Sequence, residues 1–190
     1  MHKIILASAS PARKKLMREL GVPFTCVPSG YEEDMNARKT PQALAKFLAL
    51  NKALFIAPQH PNSIIIGADT FGTINGKKIG KPKDHKEAQE IIRQMSNHKM
   101  EVHTGVAVIK TDNSGTPTKQ LTSHTVTKIS FIKITEHDIT HIIKTDEVLT
   151  TAGAFTIEGA GGKFVKEING DYHNVIGLPL FKLKELLNQI

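Results

Sequence analysis

Apolar residues fall along this chain in two rhythms. Short unbroken runs at 3–7 (Lys-Ile-Ile-Leu-Ala) and 63–68 (Ser-Ile-Ile-Ile-Gly-Ala) predict buried strands. Other segments repeat at helical spacing behind recognisable starts. Ser10-Pro11 and Thr40-Pro41 each set a hydroxyl cap before a proline suited to the first helical position. The second of these leads into Ala43, Leu44, Phe47, Leu48, Leu50 and Leu54, an apolar helical repeat. Asp84 with Glu87 predicts a capped helix to Met95, and Thr135 with Asp138 another through Lys144. Pro179 opens a last helix with Leu183, Leu186, Leu187 and Ile190 on one stripe.

Between these lie strand-like runs at 100–110 and 121–134, separated by the turn-rich 111–117. Asn75-Gly76 and Asn169-Gly170 predict two-residue hairpins, joining 71–74 to 77–80 and 164–168 to 172–176. Gly153 to Gly162 is a glycine-dense loop. Helices mixed with strands and hairpins give an α/β or α+β class with a mixed sheet. No internal repeat or long linker divides the chain, so a single domain over 1–190 is expected.

Composition is that of an ordinary folded protein, 39% hydrophobic and 23% charged over 190 residues. The formal charge of +7 narrows the partners to something anionic: a phosphorylated metabolite, nucleic acid or a membrane surface. No like-charge block exceeds three residues, and eight Phe, two Tyr and no Trp offer little for stacking bases. No specific nucleic acid is therefore expected. The one cysteine, Cys26, excludes an internal disulfide and has no base among its neighbours, so it reads as packing in a reducing compartment. The first apolar run is about four residues, below the roughly seven that a secretory signal needs. Nothing approaches transmembrane length, and a cytoplasmic protein without membrane contact is expected.

The basic excess acquires a location at the first predicted helix. Arg13, Lys14 and Lys15 crowd a first turn where the helix dipole already favours negative charge, so the arrangement calls for an anion. Ser8-Ala9-Ser10 just before it lets backbone N–H groups approach a phosphate. Asp69 follows the second apolar run directly, with Gly67 and Ala68 leaving space around it. Lys81-Pro82-Lys83 offers cations on extended backbone, and Glu32-Glu33-Asp34 with Asp69 can hold a hard divalent cation. Neither Walker A nor the dinucleotide fingerprint occurs, and His137 with His141 lacks a third zinc ligand.

These motifs, in order, resemble the Maf proteins, nucleoside triphosphate pyrophosphatases related in architecture to the inosine-triphosphate pyrophosphatases. The resemblance runs through Leu6-Ala-Ser-Ala-Ser-Pro-x-Arg13, Glu32-Glu33, Asn51-Lys52-Ala53, Gly67-Ala-Asp-Thr70 and Gly80-Lys-Pro82. It continues in Thr104-Gly-Val106, Ala152-Gly-Ala-Phe155 and Gly170-Asp-Tyr172…Gly177-Leu-Pro179. It implies a two-lobed α/β fold with an elongated mixed central sheet and a cleft, and a homodimer. It also implies hydrolysis of a nucleoside triphosphate to monophosphate and pyrophosphate with a divalent metal, Mg²⁺ or Mn²⁺. Asp69 would be the general base, Glu33 with Asp69 the metal ligands, and Ser8, Ser10, Arg13, Lys52 and Lys81 the substrate contacts. A non-catalytic role as a regulator of cell division or septum formation, also linked to the family, is the alternative.

Three positions that the resemblance ties to base choice depart from its branches. The branch acting on dTTP and UTP has Arg, Thr and Gln at the places of Ala12, Thr70 and Glu158; the 7-methyl-GTP branch has Trp, Gln and Glu. This chain reads Ala12, Thr70, Glu158, which is neither set. Ala12 can neither donate a hydrogen bond nor stack, whereas an ionised Glu158 accepts hydrogen bonds only. A third or broader specificity is expected.

Overall fold

The computed structural model describes residues 2–32, 40–144 and 147–190. Among these residues seven strands form one mixed sheet in the order β2-β1-β3-β5-β6-β7, with β4 paired to β3. They are β1 (Lys3–Leu6), β2 (Thr25–Cys26), β3 (Ser63–Ile74), β4 (Lys77–Ile79), β5 (Lys99–Thr111), β6 (Pro117–Phe131) and β7 (Val165–Asn169). The helices are α1 (Pro11–Arg18), α2 (Pro41–Ile56), α3 (His85–Met95), α4 (Glu136–Ile142), α5 (Glu147–Thr150), α6 (Tyr172–Ile176) and α7 (Leu180–Leu187). No described helix is long and apolar enough to cross a membrane.

The chain divides into two compact units. The first comprises 1–69, 104–125 and 176–190; the second comprises 70–103 and 126–175. In the first, β1 runs parallel to both β2 and β3, which places the end of β1 beside Ile66 through the Ala7 N–H to Ile66 carbonyl bond of 2.8 Å. Leu6, Leu16, Met17, Ile66, Val106, Leu178 and Leu183 close one face of this unit in a single buried cluster. In the second unit Ile92, Met95, Met100, Ile129, Phe131 and Phe155 form a separate core, with the Phe131 and Phe155 rings edge to face at 5.1 Å.

Caps follow the expected chemistry. Ser10 and Thr40 accept from the N–H groups of Arg13 and Ala43, and Thr135 and Asp138 form a reciprocal capping box. At α3 the cap differs in detail. Asp84 accepts from the Glu87 N–H as expected, but the Glu87 carboxylate reaches back to the N–H of Lys83 rather than of Asp84. Asn75 and Gly76 both take positive φ, 50° and 75°, the mirror-image turn that matches strand twist, and they join β3 to β4.

The second Asn-Gly does not make a hairpin. β7 pairs back on β6, and residues 172–176 form α6 instead of a strand. Asp171 decides this. Its Oδ1 accepts from the N–H groups of His173 (2.8 Å) and Asn174 (3.3 Å), capping a helix where a hairpin would need a ladder. A further difference is that β3 continues without a break to Ile74, so Asp69 lies within a strand rather than at its end.

Candidate active site

In the first unit the site is built on a seam between α2 and two neighbouring strands. A Cβ placed on Gly67 of β3 would lie 2.1 Å from the Ala49 carbonyl oxygen, and one on Gly105 of β5 2.0 Å from that of Ala45. The helix backbone therefore rests directly on the sheet. Ala45, Ala49 and Ala53, all fully buried, form the helix face that permits this approach. The space at Gly67 is thus filled by α2 and is not left open around Asp69.

That approach delivers Lys52. Its Nζ donates to Asp69 Oδ1 at 2.5 Å, and the two side chains are 10% and 5% exposed. Removing two charges from water costs several kcal/mol per ion, which only a close, well-formed pair offsets. The other carboxylate oxygen, Asp69 Oδ2, is buried with no hydrogen-bond partner among the described residues. A buried carboxylate oxygen without a donor requires an occupant, whether a proton, a water or a cation. Asn51, beside Lys52, spends its side-chain amide on the Phe47 carbonyl one turn back, at 2.8 Å.

The first helix supplies the second half of this unit's site. Ser8 is buried, and its hydroxyl accepts from the Ser10 N–H at 3.2 Å, curling the chain from β1 into α1. Arg13 is half-buried, and its Nε donates to the Gly177 carbonyl at 2.9 Å. Lys14 and Lys15 are exposed, and Ala12 is half-buried. Arg13 is thereby oriented by a backbone carbonyl from the turn before α7.

The remaining candidates belong to the second unit or fall outside the described residues. Thr70 is half-buried next to Asp69, while Lys81 and Glu158 are exposed. The backbone around Lys81 is held on both sides, since the Gly80 carbonyl accepts from Gly153 N–H at 2.9 Å and Pro82 is buried. Glu33 and Asp34 lie outside the described residues, and the described residues contain no grouping of three metal-ligating side chains. Among the described residues Asp69 Oδ2 is a hard oxygen without a hydrogen-bond partner, which fits a divalent cation; Mg²⁺ typically takes one or two carboxylates plus substrate phosphates.

Three features were not read from the sequence: the Lys52–Asp69 pair, the role of Gly105, and the Gly177 carbonyl. The first two had a signal. Alanines at 45, 49 and 53 recur every fourth residue of α2, a stripe too small for an ordinary core face.

The comparisons with known proteins agree over the full length. The sequence profile of the family described as Maf-like protein matches residues 3–190. A dTTP/UTP pyrophosphatase of Bacillus cytotoxicus (strain DSM 22905 / CIP 110041 / 391-98 / NVH 391-98) is 41% identical over 189 residues, spanning 100% of this chain and 96% of that protein. One of the same description from Bacillus mycoides (strain KBAB4) is 40% identical, with the same coverage. A solved HAM1 protein from Coxiella burnetii superposes with a TM-score of 0.54 at 17% identity, covering 100% of both chains, and shares the fold.

Proposed function

We propose, for a chain that belongs to the Maf-like protein family, that it is a nucleoside triphosphate pyrophosphatase whose substrates include dTTP and UTP. The observation that carries the reading is Asp69, with one buried carboxylate oxygen held by Lys52 and the other without a donor among the described residues. The reaction breaks the anhydride bond between the α and β phosphates, adding water and releasing monophosphate and pyrophosphate. The Asp69 carboxylate takes the proton from the attacking water. Lys52 fixes the rotation of that carboxylate, so the accepting oxygen points one way through the reaction.

Arg13 and Lys52 supply positive charge in the first unit, and Ser8 and Ser10 bring the small-residue turn before α1 to the phosphates. Lys81 is assigned a phosphate contact, and Ala12, Thr70 and Glu158 the selection of the base, on the family resemblance. Asp69 and Glu33 are the residues that would hold a divalent cation. Such a cation supplies neutralisation of phosphate charge, which dominates catalysis of phosphoryl chemistry. A homodimer is proposed on the same resemblance, and light scattering in solution tests it.

The activity test is direct. Purified protein with each nucleoside triphosphate and Mg²⁺ or Mn²⁺ is coupled to inorganic pyrophosphatase, and phosphate is measured. Turnover of dTTP and UTP well above an Asp69→Asn control is expected. Phosphate no higher than that control would instead favour a non-catalytic regulator.

A further inference from the structure

The geometry points to Gly177 as a positioning residue for Arg13: its main-chain carbonyl sets the plane in which the guanidinium meets phosphate. This deepens the proposed function and rests on the phosphate role of Arg13 given there. The contact joins residues 164 positions apart, with Arg13 Nε 2.9 Å from the Gly177 oxygen. Both belong to the first unit.

Two features hold the carbonyl in place. Gly177 has φ of 118°, a backbone conformation that residues with a Cβ rarely adopt. The next residue, Leu178, is fully buried in the same cluster as Leu16 and Met17 of α1. Arg13 precedes these by three and four positions, so all three side chains project from one helix face. The core that seats α1 through Leu16 and Met17 thus also holds Leu178, the residue next to the Gly177 carbonyl that Arg13 meets. The helix and the turn are locked by the same core.

The chemical consequence lies in the choice of Nε. A guanidinium anchored there is fixed in its plane, which suits bidentate recognition of phosphate oxygens. Lysine at this position would carry the charge but has no such plane. The opening cluster Arg13-Lys14-Lys15 thus separates into one aimed cation and two exposed ones.

The test is a double-mutant cycle on dTTP hydrolysis with Gly177→Ala, Arg13→Ala and Arg13→Lys. Gly177→Ala is expected to raise KM roughly tenfold with kcat changed less than about threefold, and to have almost no further effect in Arg13→Ala. Arg13→Lys is expected to resemble Arg13→Ala more than the parent. A second measurement needs no variant: the Arg13 Nε–H should exchange with solvent at least about tenfold more slowly than that of free arginine.

A Gly177→Ala effect that persists undiminished in Arg13→Ala would overturn the inference, as would Nε–H exchange at the free rate. A raised KM in Arg13→Ala with none in Gly177→Ala removes the positioning role alone. An unchanged KM in Arg13→Ala removes the phosphate role of Arg13, and the positioning role with it.

Discussion

Lys52 and Asp69 form a buried pair in which only one of the two carboxylate oxygens is engaged: Nζ meets Oδ1 at 2.5 Å while Oδ2 has no partner among the described residues. Loss of either partner has a different signature. Lys52→Met leaves a buried carboxylate unpaired and should cost about 3–5 kcal/mol, read from urea unfolding. Asp69→Asn keeps an oxygen for Nζ but removes the proton acceptor. It should lower kcat by about 10²–10⁴-fold, assayed well below its melting temperature.

Adding one methyl group at the helix–sheet seam should uncouple the same pair. Gly67→Ala and Gly105→Ala place a Cβ about 2 Å from a carbonyl of α2, so the helix must move. Each should cost on the order of 1–3 kcal/mol or more in unfolding experiments. Gly67→Ala should also lower kcat, because Ala49 and Lys52 lie on adjacent turns of the displaced helix. Equal kcat in Gly67→Ala and the parent would disconnect the seam from the chemistry.

His103 gives the second unit a pH dependence in mildly acidic solution. Burial holds its pKa below the ordinary value of about 6.5, with the neighbouring Glu101 carboxylate opposing that shift. Its ring lies 3.3 Å from the Thr73 hydroxyl and stacks on Phe71. The unfolded chain then binds the proton more readily than the folded one. The contribution of His103 is complete above about pH 6.5 and is lost as pH falls through the lower folded value. Stability measured from pH 8 to pH 5 should fall less steeply in His103→Asn than in the parent.

Base selection should move when the departing positions are changed. The double substitution Ala12→Arg with Glu158→Gln restores the residue set that the resemblance links to dTTP and UTP. Relative kcat/KM for dTTP and UTP over the other triphosphates should rise roughly tenfold, the scale of one or two well-placed polar contacts. An unaltered ranking across a nucleotide panel would release Ala12 and Glu158 from base reading.

Much of this was legible because it is local. Ser10-Pro11, Thr40-Pro41 and Asn75-Gly76 each determine their turn or cap with side chains or φ values a few residues apart. Asp69 stands out as a carboxylate inside an apolar run, and it is buried. Asn169-Gly170 misled because one carboxylate further on, at Asp171, offers a helix cap that outcompetes a hairpin. The helix seam and the Arg13–Gly177 contact were hidden for another reason. Both depend on main-chain carbonyls brought close by tertiary packing, and carbonyls carry no letter in a sequence.

The pressing of α2 onto Gly67 and Gly105 has a consequence for how variation in this protein would be interpreted. Two residues without side chains, neither able to bind or react, dictate whether Lys52 reaches Asp69. A mutational scan would score both as intolerant, and a map of charges or polar groups would explain neither. Natural drift at this site is therefore constrained by steric exclusion as well as by chemistry. A loss-of-function change there would resemble a folding lesion while its origin was a misplaced ammonium.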